Sequence, residues 1–161
     1  MSELGFIRQR IPFVSLRPIT LKNLLKGVIP TPVGWRTDPT DLDKTTDENL
    51  DTHSSNGWSQ PWGSSLVWSI EPKKIDMFYV KLDFKSTENG FWSIVEIKLY
   101  NGSDVVYSKS YQNTTMDYQL VELNETIGKV VDKVEITIKK YALEVPAMEV
   151  LRVYEVKLLY Y

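Results

Sequence analysis

The chain has 161 residues, 42% of them hydrophobic and 25% charged, a composition typical of one globular domain and unlike that of a disordered or fibrous chain. The net charge is −2, so no strong field favours nucleic acid or an acidic membrane. Cysteine is absent and His53 is the single histidine, which excludes disulfides and thiolate metal sites and argues against a Ser-His-Asp triad. No apolar run approaches the roughly 18 residues of a membrane-spanning helix.

Residues 1–35 are predicted to form an extended apolar arm ahead of a domain that spans residues 36–161. Four prolines interrupt the short apolar segments of the arm and disfavour a central strand: Pro12, Pro18, Pro30 and Pro32. A terminal segment is ordered only where it is tied down, and two anchorages are open. The arm either folds back on its own domain or docks, through residues 1–30, on neighbouring subunits. A basic start followed by an apolar stretch is missing, so no secretory signal is predicted.

Residues 36–65 are polar and rich in Asp, Asn, Ser and Thr, which compete with regular structure through local hydrogen bonds. A loop of this length is uncommon in a compact domain, so we expect something to hold it in place.

From Leu66 onward, apolar and polar residues alternate with the period of two expected of β-strands. The predicted strands cover residues 66–70, 78–84, 94–100, 105–111, 118–123, 134–138 and 150–160. Asn101-Gly102 is a strong hairpin signal, and residues 125–131 predict one helical turn at most. About seven short strands at this spacing predict an all-β fold, an antiparallel β-sandwich or jelly roll.

Four oxygen-bearing side chains lie close together in the polar stretch: Asp47, Asn49, Asp51 and Thr52. Calcium takes six to eight oxygen ligands, and backbone carbonyls count with carboxylates, so a distant carboxylate is needed to complete such a site. Glu155 is the candidate, because it interrupts an apolar closing strand where a carboxylate is costly unless paired or metal-bound. The spacing leaves two interpretations open: a calcium site, or a solvated acidic turn with Glu155 on the outward face of an edge strand.

The order of these segments resembles the discoidin-like, coagulation factor 5/8 C-terminal type module of the galactose-binding-like fold, over about residues 36–161. The resemblance rests on the acidic turn before the strand at Leu66, the alternating strand at Phe78, and the closing Leu151-Arg152-Val153-Tyr154-Glu155-Val156-Lys157-Leu158. It implies a structural calcium held by Asp47, Thr52 and Glu155, with the backbone oxygens of Lys44 and Asn49. The chain departs from the family at Glu48, where a glycine is usual; a positive φ there would strain the glutamate.

Trp58 and Trp62 lie in a loop-like context within residues 56–63. Aromatic planes on loops stack on sugar rings, and the resembled modules bind glycans or lipid through loops at one end, so Trp58, Trp62 and His53 are the predicted ligand-binding residues. The alternative is that both tryptophans cap the core beneath the loop. Trp68 alternates with apolar neighbours and is predicted to be core.

Four carboxylates alternate outward on predicted strands without a partner suited to acid–base catalysis: Asp83, Glu96, Glu122 and Glu135. Phosphate-loop and nucleophile-elbow motifs are also missing from the sequence. We therefore expect a non-catalytic module that binds carbohydrate or a cell surface, as an attachment or decorating subunit on a virus or phage particle. The alternative is a purely structural assembly protein whose arm docks on neighbouring subunits in an oligomer.

Overall fold

The computed structural model describes residues 20–55, 59, 63–141 and 150–161. Within these ranges no helix has the length and apolar character needed to cross a membrane. The structure is dominated by strands, which confirms the all-β prediction. The elements in chain order are β1 (Lys22–Asn23), β2 (Thr31–Val33), a 3-10 helix (Leu42–Thr46), β3 (Ser64–Phe84), β4 (Ser93–Asn101), β5 (Asp104–Asn113), β6 (Gln119–Lys140) and β7 (Leu151–Tyr160).

Two long strands, β3 and β6, take part in both layers of the fold. They pair antiparallel, and register shifts between Ser69 and Lys73 and between Ile75 and Met77 mark where the pair bends. The front layer consists of β2, residues 64–69 of β3, residues 133–140 of β6, β4 and β5. The back layer consists of β1, β7, residues 77–84 of β3 and residues 119–126 of β6.

One hydrophobic core fills the space between the two layers. Inward-facing side chains alternate along each strand, so that Leu66 and Trp68 of the front layer and Phe78 of the back layer are essentially fully buried. Phe78 contacts Tyr107 of β5 with ring centroids 5.9 Å apart, which joins the layers directly. The predicted antiparallel sandwich and the predicted core position of Trp68 are both confirmed.

The described part of the predicted arm packs on its own domain. β1 pairs with β7 and β2 pairs with β3, both antiparallel. Leu25 is fully buried in the core, and the Thr46 hydroxyl donates a 2.8 Å hydrogen bond to the Val28 carbonyl. Residues 20–35 are therefore part of the sandwich, and the boundary predicted after residue 35 does not separate them from it. Residues 1–19 lie outside the described residues.

Several connections gather at one end of the sandwich, which we call the loop end. Backbone hydrogen bonds hold them together: the Ser86 amide donates to the Thr115 carbonyl at 2.7 Å, and the Tyr141 amide donates to the Trp92 carbonyl at 3.0 Å. The loop end comprises residues 85–92 between β3 and β4, residues 114–118 between β5 and β6, and residues 141 and 150, which flank the β6–β7 connection.

Candidate functional site

The polar stretch forms a compact turn around the Asp47 carboxylate, directly after the 3-10 helix. Asp47 Oδ1 accepts a 3.0 Å hydrogen bond from the Asn49 amide, and Oδ2 accepts a 2.7 Å bond from the Thr52 hydroxyl. The Thr52 hydroxyl also lies 3.2 Å from the Asn49 carbonyl oxygen. The Lys81 ammonium donates to the Leu50 carbonyl at 3.0 Å, which ties the turn to β3. Carboxylate, hydroxyl and carbonyl oxygens are thereby concentrated in one small volume.

Glu155 reaches this turn from β7, although 107 positions separate it from its partner Glu48. A bulge makes this possible, because Lys81 pairs with Glu155 while the next residue of β3 pairs with Val153. Glu155 is fully buried, and its Oε1 accepts a 2.9 Å hydrogen bond from the Glu48 amide. Its Oε2 is buried with no hydrogen-bond partner in the described structure. A buried carboxylate oxygen without a partner is costly unless something else neutralises it.

Burial raises the pKa of Glu155 to about 7. The hydrogen bond from the Glu48 amide and the charge of Lys157 oppose the rise, whereas the carboxylates of Asp47 and Glu48 add to it. Two neighbouring carboxylates, beside hydroxyl and carbonyl oxygens, are a ligand set suited to a hard cation such as calcium.

The structure places most of the predicted metal ligands at this turn, but Lys44 lies in the element before it. The structure brings Asp47, Asn49, Thr52 and Glu155 to one turn, and Asp51 contributes its backbone amide, which donates to Asn49 Oδ1 at 3.0 Å. Lys44 lies in the preceding 3-10 helix, and its ammonium approaches Asp43 at 3.9 Å. Among the described residues, no cluster of three or more His, Cys, Asp or Glu side chains is placed to hold a metal. Hydroxyl and carbonyl oxygens would have to supply the remaining ligands.

Glu48 has a φ of 62°, in the left-handed region that favours glycine. The sequence comparison with the resembled family anticipated this strain, because a glycine is usual at this position. The backbone of Glu48 points its amide at Glu155, and its carboxylate lies 3.3 Å from the Lys26 ammonium. The strained conformation therefore delivers a hydrogen bond that links the turn to Glu155.

His53 lies beside the turn but is held by its own neighbours. Its Nδ1 is 2.7 Å from the Ser54 carbonyl oxygen, and its ring meets Tyr154 edge-on with centroids 5.1 Å apart. Tyr154 donates in turn to Asp83, which accepts two hydrogen bonds from the Arg152 guanidinium. His53 thus borders a packed aromatic and charged cluster on the outer face of the back layer. Trp58 and Trp62, the other two predicted ligand-binding residues, lie outside the described residues.

Three aromatic rings meet at the loop end: Phe91, Trp92 and Tyr141, which we call the aromatic cluster. The ring of Tyr141 lies 4.8 Å from that of Phe91 and 6.4 Å from that of Trp92, centroid to centroid. Tyr141 is 42% exposed, and the other two rings are half-buried. A partly exposed group of this kind offers the flat apolar surface on which a sugar ring can stack.

Solved structures match this architecture, whereas no protein-family model and no curated protein matches the chain. CpGH89CBM32-4, produced by Clostridium perfringens and solved in complex with GlcNAc-α-1,4-galactose, has a TM-score of 0.56 at 14% identity, covering 90% of this chain and 98% of that chain. A fucose binding module of Streptococcus pneumoniae, SpX-3, has a TM-score of 0.51 at 10% identity, covering 87% of this chain and 98% of that chain. The chain has the discoidin-like, galactose-binding-like fold. The fold inferred from the acidic turn and the closing strand is thereby confirmed.

Sequence reasoning missed the aromatic cluster of this discoidin-like domain. The adjacent Phe91 and Trp92 were a visible signal, but Tyr141 joins them only because β4 pairs with β6 in the register that sets Ser93 opposite Lys140. That register cannot be read from local pattern, since it depends on how two distant strands align.

Proposed function

We propose that this domain is a non-catalytic carbohydrate-binding module that contacts its ligand at the loop end. The observation that favours this is the partly exposed aromatic cluster, located where the connections of a galactose-binding-like sandwich converge. The two neighbours described above carry names that state a sugar ligand, which supports the same class of ligand. Trp58 and Trp62 remain proposed contacts, because Gly63 leads directly from their segment into β3 at the loop end. His53 also remains a proposed ligand contact.

The four strand carboxylates support a binding role rather than catalysis. Asp83 was predicted to face outward, but it is buried. Asp83 is engaged by Arg152, and Glu96 is engaged by Lys139 and Lys98. In the same way, Glu122 accepts a hydrogen bond from Tyr79 and Glu135 accepts one from Tyr100. Each of these carboxylates already has a structural partner, so none is poised as a general acid or base.

The test is glycan binding by the intact chain with matched variants. We expect Trp92→Ala and Tyr141→Ala each to weaken binding about tenfold, as the loss of an aromatic contact does. Tyr100→Ala is the control, because Tyr100 is a half-buried tyrosine that lies at the opposite end of β4 from Trp92, beside the β4–β5 turn. Titration calorimetry on a panel of neutral and acidic glycans measures all three. Failure of the intact chain to bind any glycan, or equal losses in all three variants, would refute the proposal.

A calcium ion is proposed to fasten the turn at Asp47 to Glu155. The unpartnered, buried Glu155 Oε2 and the neighbouring Asp47 carboxylate fit a divalent cation, which would add its positive charge to that of nearby Lys157. Asp47, Thr52 and Glu155 would hold it with side-chain oxygens, and Lys44 and Asn49 with backbone oxygens. In this role the ion is structural, because it would order the polar stretch that leads into the loop end.

The setting of the module is a further proposal: an attachment or decorating subunit on the surface of a virus or phage particle. It is favoured by the fold together with the apolar, proline-interrupted sequence of residues 1–19. The alternative is a purely structural assembly subunit that docks through its N-terminal residues. Light scattering and glycan titration on a chain lacking residues 1–19 separate the two. Retained glycan binding favours attachment, whereas lost oligomers together with no glycan binding by the intact chain favour assembly.

A further inference from the structure

Two irregular connections at the loop end lie outside the strand ladder: residues 85–92, the β3–β4 loop, and residues 114–118, the β5–β6 loop. Surface loops are ordinarily more mobile than the strands they join, and their backbone groups need partners that no neighbouring strand provides. The β3–β4 loop carries Phe91 and Trp92, two of the three rings of the aromatic cluster. The way these loops are held therefore determines how well the cluster is positioned for a ligand.

Asn113 fastens the β5–β6 loop. It is the last residue of β5 and only 6% exposed. Its Nδ2 donates 2.9 Å hydrogen bonds to the carbonyl oxygens of Phe84 and Asp117. Its Oδ1 accepts 2.9 Å hydrogen bonds from the amide and the hydroxyl of Thr115. The hydrogen-bonding capacity of the carboxamide is thus used within the protein, and one side chain ties the end of β3 to the β5–β6 loop.

The β5–β6 loop in turn holds the β3–β4 loop. The Thr115 carbonyl accepts a 2.7 Å hydrogen bond from the Ser86 amide. The Thr114 carbonyl accepts a 2.8 Å hydrogen bond from the Gly90 amide, directly before the first ring of the cluster. The position that Asn113 gives to one loop is therefore passed to the other.

Ser86 extends this support to the rings. It is fully buried, and its hydroxyl lies against the carbonyl oxygens of Glu88, at 2.7 Å, and Phe91, which share its one proton. The Phe91 amide donates to the Glu88 carbonyl at 3.2 Å, and the Tyr141 amide donates to the Trp92 carbonyl at 3.0 Å. Hydrogen bonds thus fix the backbone that carries the aromatic cluster.

Buried polar side chains are a costly way to fill this end of the sandwich if only stability is at issue. Apolar side chains of similar volume need no partners, whereas Asn113 and Ser86 are tolerated because their hydrogen bonds are made. What the polar groups add is a defined geometry, since a hydrogen bond accepts a narrow range of distances and angles. A loop that is already ordered spares a ligand the free energy of ordering it, which would otherwise weaken binding.

We propose that Asn113 and Ser86 are positioning residues for glycan binding, which hold the aromatic cluster in its binding arrangement before the glycan arrives. Both side chains are buried, so they act through the rings rather than by contact with the sugar. This deepens the proposed carbohydrate-binding function and rests on it.

The test measures sugar affinity and local mobility in variants of the intact chain. The probe is the tightest-binding sugar of a panel that includes lactose, chitobiose and sialyllactose. We expect Asn113→Ala to weaken its binding about tenfold, because the sugar must then order both loops, and Ser86→Ala to weaken it about threefold. Titration calorimetry measures these affinities.

Hydrogen exchange shows whether the loops loosen as the affinity falls. In sugar-free Asn113→Ala we expect the Gly90 amide to exchange about tenfold faster than in the unmodified chain. Saturating sugar should slow that exchange again, because the bound ring orders the loop. Exchange followed by nuclear magnetic resonance measures both effects.

Val131→Ala is the control for stability. Val131 is fully buried where β6 bends, away from the loop end. Deleting its buried methyl groups lowers stability without altering the loops, so folded Val131→Ala should bind the sugar as tightly as the unmodified chain. A purely structural role of Asn113 and Ser86 would give this same result in their own variants.

Different results overturn different claims. Unchanged sugar affinity in folded Ser86→Ala, or unchanged exchange at Gly90 in folded Asn113→Ala, overturns the inference and leaves the carbohydrate-binding proposal standing. Ser86→Ala decides the question by itself if Asn113→Ala does not fold. An equal loss of affinity in Val131→Ala also overturns the inference, because the effect would then follow stability. Absence of binding to every sugar of the panel overturns the proposed function and this inference together.

Discussion

Replacing Glu155 with Gln tests whether the buried carboxyl group destabilises the metal-free protein and whether calcium removes that destabilisation. The Glu155→Gln side chain would keep an oxygen for the Glu48 amide but could not ionise. The pKa of Glu155 is raised to about 7 from an ordinary value of 4.5, mainly by burial. At one pKa unit per 1.36 kcal/mol, ionised Glu155 lowers the free energy of unfolding by about 3 kcal/mol.

The direction of the pH dependence of stability follows from how many protons the folded and unfolded chains bind. The unfolded chain releases this proton near pH 4.5, whereas the folded chain keeps it until about pH 7. Between these values the native state binds more protons, so the stability of the metal-free protein falls as pH rises across this window and the loss is complete above it. In chelator at pH 8, Glu155→Gln should therefore be more stable than the unmodified chain by up to about 3 kcal/mol, or roughly 6–12 °C in melting temperature. At pH 4 the two proteins should melt together.

Calcium should reverse this order. A cation bound beside the carboxylate stabilises its charged form and adds binding free energy to the folded state alone, so calcium should raise the melting temperature of the unmodified chain far more than that of Glu155→Gln. Scanning calorimetry from pH 4 to 8, in chelator and in excess calcium, measures both effects. Asp51→Asn is the matched control, because it removes a charge from the same turn at an exposed side chain. A flat pH profile in chelator would refute the burial argument, and equal calcium shifts in both proteins would refute the metal site.

Two further substitutions test the stability of neighbouring features by chemical denaturation. Glu48→Gly should raise the free energy of unfolding by about 1 kcal/mol, because φ at Glu48 is 62° and glycine adopts this conformation without strain; a loss of stability would contradict the strain. Asp83→Asn should lower the free energy of unfolding by about 2 kcal/mol, because the buried Asp83 accepts two hydrogen bonds from Arg152. Glu135→Gln alters one hydrogen bond from Tyr100 and should lower the free energy of unfolding by less. Equal losses of stability in the two variants would contradict a larger contribution from the Asp83–Arg152 pair.

The sequence predicted which residues form strands better than where strands begin and end. Alternation identified the inward-facing residues, and Asn101-Gly102 identified the hairpin between β4 and β5, where Gly102 has a φ of 62°. The segments 118–123 and 134–138, however, are parts of one strand. Between them β6 bends through a register shift and Gly128 (φ 64°), without leaving the sheet. A bend of this kind interrupts the period of two, so from sequence it looks like the end of a strand.

Local sequence pattern predicted the role of Glu155 but not the bulge that positions it. Glu155 was predictable because a glutamate among apolar strand residues needs a partner, and the acidic turn at Asp47 was the available one. The bulge that lets Glu155 meet that turn was not predictable, since it arises from how β7 aligns with β3. Lys140 is buried although a lysine at a strand end is ordinarily solvated; its alternation with Ile136 and Ile138 places it on the inward face of β6.

Glu155 and Lys140 pose the same physical problem with opposite charge. Each is a buried ionisable group whose pKa is displaced towards its neutral form chiefly by burial, and each lies beside a further charge of its own sign. They cannot neutralise each other, because Glu155 lies in β7 against the turn at Asp47 whereas Lys140 ends β6 opposite Ser93 in the front layer. Such groups are costly to the isolated fold. At Glu155 the proposed calcium ion would relieve that cost by binding to the folded state beside the turn.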